Sequence, residues 1–291
     1  MTKAFFFTLC GMGVLSAQQA MAGISLSYTG THGSQGYTGT NLGFSLDSTI
    51  GPYMEGGFNQ SQSNTSPGTF KTYSGGLGIY RPGGSFGLSS SFTPKVEGYQ
   101  ALSIGLDARG RVLNWEDLGG FQASLGFRIN RTTHQDDVQL VEEKKEGETR
   151  IRGETLSIHQ NDITGNLRLQ WRKVGSSLSL GLTQSLYDED LAGNFLRECK
   201  VVKFEGILGA LQGYSDRMVF AKISQDILPW LWTSASYNRV QYNLATASAN
   251  SFNLEAGINW QSLEATLGYN TYVPSSGPSR KFIAIGAGLR F

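Results

Sequence analysis

The sequence predicts an all-β fold, a transmembrane antiparallel up-and-down β-barrel, and three observations lead to that prediction. Apolar residues alternate with small polar residues through most of the chain, which is the period of a strand with one apolar face. The alternating segments are about 10 to 12 residues long, the length of a tilted strand that crosses a bilayer. The 291 residues include 38 glycines and only 16% charged residues, and a surface so poor in charge suits lipid better than water.

The N-terminal segment 1–22 has the features of a cleaved secretory signal peptide. Lys3 precedes an apolar run over residues 4–17, and the Ala-Met-Ala sequence at 20–22 has the small-x-small pattern of a cleavage site. The apolar run is shorter than the roughly 20 residues that a membrane-spanning helix needs. We therefore expect an exported protein whose barrel occupies residues 23–291.

Counting the alternating segments gives about fourteen strands, and a range of twelve to sixteen fits the same pattern. Short turns and longer loops alternate along the chain, as expected when both chain ends lie on the periplasmic side. Long extracellular loops are expected near 132–161 and 188–214. Residues 107–119 are too long for a short turn, and we interpret them as a continuation of the sixth strand through a bulge. The predicted strands are 24–31, 37–47, 50–60, 69–80, 84–92, 98–108, 120–131, 162–172, 176–187, 215–226, 230–242, 250–260, 262–272 and 280–291.

A soluble β-sandwich is the alternative, because its strands also alternate. Sandwich strands are usually about 5 to 6 residues long, and their outer faces carry charged residues. Here the residues that alternate with the apolar ones are mainly Gly, Ser, Thr, Asn and Gln, and few of them are charged. The five tryptophans fall at the predicted periplasmic strand ends, and seven tyrosines fall near the opposite ends. Two aromatic girdles are typical of a membrane barrel, which is therefore favoured.

The last predicted strand ends in Leu289-Arg290-Phe291, with apolar residues at alternate positions before the final phenylalanine. Together with the signal peptide and the alternation, this end resembles the bacterial outer-membrane β-barrel proteins, a porin-like class, without matching a particular family. The resemblance implies a place in the bacterial outer membrane and contact with its lipid and lipopolysaccharide. It also implies that the barrel-assembly machinery recognises Phe291 as an assembly signal. The net charge of +1 argues separately against a nucleic-acid partner.

A barrel of fourteen strands leaves a hole unless large side chains or a plug fill it. The inward parity carries mostly glycine, serine and asparagine, and we expect no N-terminal plug because the first strand directly follows the cleavage site. Charged residues on this parity are few, and they are the candidate pore-lining residues: Asp47, Glu55, Asp107, Arg128, Arg168, Arg172, Glu255, Glu264 and Arg290.

The charges are expected to form two opposed walls. Arg128, Arg168 and Arg172 lie on the seventh and eighth predicted strands, which stand opposite the closing strands of a fourteen-stranded barrel. The acidic residues that flank those closing strands are Glu55, Glu255 and Glu264. Such a basic wall facing an acidic wall would orient polar solutes. Interior ion pairs that merely neutralise each other are the alternative, and Arg290 departs from the simple pattern.

The two long loops carry different signals. Within 188–214, four apolar residues have helical spacing, which predicts either a constriction folded into the barrel mouth or a compact loop packed on itself; they are Phe204, Ile207, Leu208 and Leu211. Cys199 is expected to be an unpaired thiol, since the other cysteine lies in the signal peptide. The loop 132–161 is expected to be an extended hairpin with a charged, solvated tip at 142–148. Binding of divalent cations or lipopolysaccharide headgroups is the alternative for that tip.

One arrangement has catalytic potential. His32 and Ser34 stand two residues apart, and the segment is similar to the His-x-Ser-Asn-Gly element of outer-membrane phospholipases, with Gln35 where asparagine is expected. The histidine could activate the serine, but glycine and serine are also ordinary turn residues. The sequence contains no zinc spacing, phosphate loop or nucleotide fingerprint, so no metal or cofactor is expected and the protein is not expected to be an enzyme.

Three functional hypotheses follow. A passive diffusion channel for small polar solutes is favoured by the small inward residues and the expected lack of a plug. A structural or partner-binding barrel of an envelope, export or adhesion complex, acting through the two long loops, is the second. A lipid hydrolase of the outer leaflet that uses His32 and Ser34 is the third.

Overall fold

The computed structural model describes residues 23–48, 50–64, 66–96, 98–117, 120–143, 149–188, 202–204, 215–243, 248–275 and 277–291. The signal peptide expected at 1–22 lies outside these ranges and stays a prediction. Within them, no helix has the length and apolar character needed to cross a membrane.

Antiparallel strands make up most of the described chain, because alternating residues give each strand one apolar and one polar face. The strands are β1 (Gly23–Gly33), β2 (Thr38–Asp47), β3 (Gly51–Ser63), β4 (Ser66–Arg81), β5 (Gly84–Val96), β6 (Tyr99–Trp115), β7 (Phe121–Glu143), β8 (Thr149–Trp171), β9 (Ser176–Tyr187), β10 (Val202–Phe204), β11 (Ser215–Leu228), β12 (Leu231–Tyr242), β13 (Ser248–Trp260), β14 (Leu263–Pro274) and β15 (Arg280–Arg290).

Fourteen of these strands close into a barrel, with β10 as a short addition to one edge of β7. The closing seam joins β1 to β15 and places Leu26 opposite Leu289. Backbone hydrogen bonds join Ile24 and Phe291 in both directions, at 3.0 and 2.9 Å. The predicted all-β, closed, antiparallel up-and-down barrel is therefore confirmed, including its strand number.

The two described chain ends, Gly23 and Phe291, lie at one rim together with the connections from β2 to β3, β4 to β5 and β8 to β9, and this is named the turn rim. The opposite rim is named the loop rim. It also has short connections, from Ser63 to Ser66 and from Val96 to Tyr99, so the expected alternation of short turns and longer loops holds only in part. β6 continues to Trp115 with a register shift between Arg111 and Leu113, which confirms the predicted bulge. The turn from β8 to β9 is a single 3-10 turn that closes on Gly175 with φ of 63°, a conformation that favours glycine.

The segment 132–161 differs from a loop in most of its length. β7 and β8 stay paired from Phe121 opposite Trp171 out to Glu143 opposite Thr149, so the expected extended hairpin is a continuous two-stranded ladder. Apolar alternation stops near residue 131, because beyond the lipid neither face needs apolar residues, whereas the backbone hydrogen bonds still favour pairing.

Apolar side chains cover the outside of the barrel. Leu77, Leu267 and Ile285 are between 59% and 63% exposed, as expected for residues that face lipid and not a protein core. At the turn rim, Phe121 packs between Trp115 and Trp171 with ring-centroid distances of 5.8 and 5.3 Å. This outer surface is that of a membrane-spanning barrel with an aromatic girdle at the turn rim.

Several aromatic residues expected in the girdles instead point inward. Trp232 lies at the turn rim, but its ring covers Gly257 on the inner wall. At the loop rim, the inward parity holds four of the seven tyrosines: Tyr99, Tyr187, Tyr242 and Tyr272. The position of a residue along its strand sets its depth in the membrane. Whether its side chain faces lipid or the lumen depends on the alternation of side chains along the strand. Tyr214 lies outside the described residues.

Candidate functional site

The barrel encloses a polar lumen whose wall consists of every second residue of each strand. A cavity of about 650 Å³ lies within it and reaches from β1 round to β11. Short polar side chains line most of this cavity, among them Ser27, Asn41, Ser74, Ser91, Asn130 and Thr164. Three charged residues also line it: Glu55, Arg128 and Asp162.

Many of the small hydroxyl groups bond to one another across strands. Ser25 and Ser45 are 2.8 Å apart between their Oγ atoms, and the Thr164 and Thr183 Oγ1 atoms are also 2.8 Å apart. Ser45 in turn donates to Asp47 Oδ2 at 2.8 Å. These contacts hold the side chains against the wall, so the wall presents hydroxyl groups to the cavity.

The candidate pore-lining residues occupy the inward parity of their strands. Asp47, Glu55, Asp107, Arg128, Arg168, Glu255, Glu264 and Arg290 lie on β2, β3, β6, β7, β8, β13, β14 and β15, respectively, and Arg172 lies in the turn after β8. β7 and β8 stand across the barrel from β15 and β1 in the strand order.

The expected separation into a basic and an acidic wall is incomplete. Asp107 is the direct cross-strand partner of Arg128, so the basic wall contains a carboxylate. On the other wall, Lys222 Nζ lies 4.0 Å from Glu255 Oε2. Three further charged residues, Lys222, Arg109 and Asp162, also lie on the inward parity of their strands. They are not among the predicted pore-lining residues, although the alternation along each strand is enough to identify them.

At the loop rim, the inside of the barrel contains a small core that the sequence analysis missed. Phe70, Tyr99 and Ile158 are buried together, and Val96 and Tyr187 pack against them. Ile158 is only 1% exposed, although it lies beyond the apolar outer band. Inward side chains from one arc of the barrel, β4 to β9, therefore pack together inside this rim.

A chain of hydrogen bonds runs beside this core across neighbouring strands. The Tyr99 hydroxyl lies 2.9 Å from His134 Nδ1, and His134 Nε2 lies 3.0 Å from Gln160 Oε1. Asp162 Oδ1 accepts from Gln160 Nε2 at 2.7 Å and from Ser185 Oγ at 2.6 Å. Because a carboxylate only accepts, Gln160 turns its amide nitrogen to Asp162 and its oxygen to His134, so His134 donates from Nε2 and accepts from Tyr99.

Burial sets the proton state of this chain, which lies beyond the membrane-spanning part of the strands. It lowers the pKa of the His134 imidazole below its ordinary value, although the hydrogen bond to Gln160 and the charge of Asp162 oppose that shift. Burial also raises the pKa of the Tyr99 hydroxyl to about 12, assisted by Asp136. A neutral histidine between a neutral tyrosine and an amide forms a fixed, uncharged part of the wall.

Of the four apolar residues expected to form a constriction within 188–214, the structure describes only Phe204. Phe204 lies in the short strand β10, whose backbone pairs with β7, although the spacing of the four apolar residues is helical; the constriction and the compact loop both stay predictions. Strand pairing with an exposed edge of β7 supplies backbone hydrogen bonds that the helical spacing did not reveal. Ile207, Leu208, Leu211 and Cys199 lie outside the described residues.

His32 and Ser34 lie at the loop rim and are exposed. His32 belongs to β1, whereas Ser34 begins the 3-10 turn Ser34–Gly36. Ser34 Oγ accepts a hydrogen bond from the backbone N–H of Lys281 at 3.0 Å, and within the described ranges no hydrogen bond joins it to His32. The described residues contain no group of three His, Cys, Asp or Glu side chains that could hold a metal ion.

Comparison with known proteins gives a likeness of fold. No family model and no curated protein matches the sequence. The structure is similar to the Acinetobacter baumannii outer membrane protein Omp33, with a TM-score of 0.52, 9% identity, and coverage of 94% of this chain and 100% of that one. The chain has the fold of a bacterial outer-membrane β-barrel. Its apolar outer surface agrees with that environment, and the porin-like class expected from the sequence is confirmed at the level of fold.

Two further solved structures are more distantly similar. CdiB from Acinetobacter baumannii has a TM-score of 0.47 and 10% identity over 92% of this chain, which spans 60% of the length of that protein. A KdgM porin in complex with disordered oligogalacturonate has a TM-score of 0.44 and 9% identity, with coverage of 92% of this chain and 99% of that one.

Proposed function

We propose that this outer-membrane barrel is a passive diffusion channel for small polar solutes. The observation that carries the proposal is the cavity of about 650 Å³ inside the barrel, lined by hydroxyl, amide and a few charged groups. Such a wall exchanges hydrogen bonds with a passing solute, while its short side chains leave room for it. The core at the loop rim narrows the entrance and limits the size of the solute.

Single-channel recording of the refolded protein in a planar bilayer tests this function. Discrete conductance steps are expected, and the reversal potential in a salt gradient reports which charges dominate. A correctly folded barrel that gives no steps would overturn the proposal. Ser91→Phe, which adds a ring on the inward face of β5, is expected to lower the unitary conductance. Ser90→Phe, one residue away on the lipid face, is the matched control and is expected to conduct normally.

A partner-binding barrel is the second candidate, favoured by the β7–β8 hairpin. Beyond Asp136, β7 pairs only with β8 and β10 among the described strands, so this part of the hairpin is not needed to close the barrel. Site-specific photo-crosslinking from the exposed Thr155 in intact cells tests the candidate. A crosslink to one defined protein would support this candidate. If the only crosslinked products are lipid adducts, the candidate is contradicted.

We infer in addition that the apolar outer surface contacts membrane lipid and lipopolysaccharide, and that the barrel-assembly machinery reads Phe291. Phe291 is 69% exposed at the turn rim, where another protein can reach it. Phe291→Ala is expected to slow assembly of the barrel in cells.

A further inference from the structure

Three arginines lie on the inner wall near the turn rim, across the adjacent strands β6, β7 and β8. Arg109 on β6 is the register partner of Gly126 on β7, and Arg168 on β8 is the register partner of Ser124. Gly126 and Ser124 are short, and the Asn166 side chain of β8 lies over Gly126, so the two arginines have only small side chains around them on β7 and an amide beside them on β8. Arg172 follows four residues after Arg168, in the turn that leads to β9.

In the described part of the chain, these guanidinium groups have no carboxylate in direct contact. None of the three forms an ion pair there, and Arg168 Nε is buried without a hydrogen-bond partner among those residues. Arg109 and Arg168 carry the same charge, so neither can neutralise the other. Arg172 Nη2 donates one long hydrogen bond, 3.4 Å, to Asn114 Oδ1. The nearest inward acid on β6, Asp107, lies opposite Arg128 instead.

A pocket of about 320 Å³ opens in front of two of the arginines. Its polar lining comprises Arg168, Gln170, Arg172, Ser176, Ser177, Ser224 and Asp226. Asp226 is the one acid in this lining, against two guanidinium groups, and Arg109 adds a third positive charge beside them. A pocket of this size accommodates a small anion with its water, and the planar guanidinium group matches carboxylate and phosphate oxygens in pairs.

We propose that Arg109, Arg168 and Arg172 form a binding site for small carboxylate or phosphate anions on the lumen wall at the turn rim. The inference rests on the proposed channel function and names the solutes that the channel selects. Anions enter between the walls, exchange part of their hydration for guanidinium hydrogen bonds, and leave at the turn rim. Asp226 keeps the net positive charge of the pocket small, so that binding stays reversible.

The test separates binding from conduction. Titration calorimetry on the refolded barrel measures binding of succinate and of inorganic phosphate, and the same anions are added to the bilayer to measure block of the chloride current. Saturable binding by the wild type is expected for at least one anion. Arg168→Gln is expected to weaken that binding about tenfold, the loss of one charged hydrogen-bonding partner. Arg239→Gln, an exposed arginine on the lipid-facing parity of β12, is the matched control and is expected to bind as the wild type does.

The outcomes distinguish the two proposals. Conduction without saturable binding, or equal binding by Arg168→Gln and the wild type, overturns the anion site and leaves the channel. Binding without conductance steps overturns the channel and leaves an anion site in a closed barrel. If Arg168→Gln fails to fold, Arg172→Gln replaces it, because Arg172 lies in a turn outside the strand ladder. Preference for succinate over phosphate, or the reverse, identifies the carboxylate or the phosphate as the favoured group.

Discussion

Single glycines on the lumen wall make room for aromatic rings from neighbouring strands. A Cβ atom on Gly181 would overlap the ring of Phe220, and one on Gly257 would overlap the ring of Trp232. Because glycine has no side chain, each aromatic ring can lie flat over the glycine, against the inner wall of the barrel. Glycine in a strand interior is often a site of such close approach, and here it keeps a large residue from filling the lumen.

Gly181→Ala is expected to push the Phe220 ring into the lumen. The free energy of unfolding should fall by about 1 kcal/mol, the low end for overpacking because the ring can move, and the unitary conductance should fall with it. Urea unfolding and bilayer recording measure the two effects. Gly268→Ala is the inward control, since the nearest atom to its new Cβ would be Ala284 Cβ at an ordinary 3.5 Å. Equal effects in both variants would contradict the explanation.

The β7–β8 hairpin is an element with two parts. Its inner part belongs to the barrel wall and carries His134 and Gln160, which join the hydrogen-bonded chain at the loop rim. Its outer part, beyond the pairing of Tyr99 with Asp136, continues as a ladder on its own. The hydrogen bonds of the outer part are local, so its formation does not depend on closure of the barrel.

Replacing residues 138–154 by an Asn-Gly turn, which would connect Asp137 to Thr155, is therefore expected to leave the barrel intact. Those two residues are register partners, and Asn-Gly suits a two-residue hairpin turn. Heat-modifiable electrophoretic mobility should show a folded barrel, and the unitary conductance should match that of the wild type. A changed conductance would mean that the outer hairpin reaches the lumen. A longer excision that also removes His134 and Gln160 is expected to lower stability.

At the scale of the whole molecule, pairing of the first and last strands closes the sheet into a barrel, and the barrel encloses the lumen. The seam between β1 and β15 has the same antiparallel pairing as every other strand contact of the barrel, from Ser25 opposite Arg290 to Gly33 opposite Phe282. A closed barrel has no exposed sheet edge in lipid, where unpaired backbone groups are costly. The seam also brings the strands of the two halves round to face each other across the cavity.

A disulfide across the seam tests this closure. Leu26→Cys with Leu289→Cys, in a Cys199→Ser background, is expected to crosslink on oxidation, because directly paired residues lie about 4.5 to 5.5 Å apart at Cα. The crosslinked chain should migrate differently on denaturing gels without a reductant. Leu26→Cys with Ile285→Cys is offset by four residues, about 13 Å, and should not crosslink. The opposite result would show a different register.

The alternation of side chains along the strands predicts some residues of the lumen site but not others. Glu55 and Arg128 were assigned to the lumen because alternation fixes the face of each strand residue, and the same rule would have found Asp162 and Lys222. Phe204 was assigned a helical spacing, yet it lies in β10, because an available edge of β7 supplies hydrogen bonds that local spacing does not record. The catalytic potential of His32 and Ser34, and the signal peptide at 1–22, stay predictions.

The sequence by itself predicted about fourteen barrel strands in up-and-down order, the bulge in β6 and the alternation of inward and outward residues along each strand. Those are local properties, since the two-residue repeat of a pleated strand and the chemistry of short turns depend on neighbours in the chain. Only the tertiary structure decided which inward residues meet. Tyr99, His134 and Gln160 share one hydrogen-bonded chain, and Arg109 and Arg168 share one wall, because the register between the neighbouring strands β6, β7 and β8 aligns them. No repeat in the sequence encodes that register, and the functional proposals rest on it.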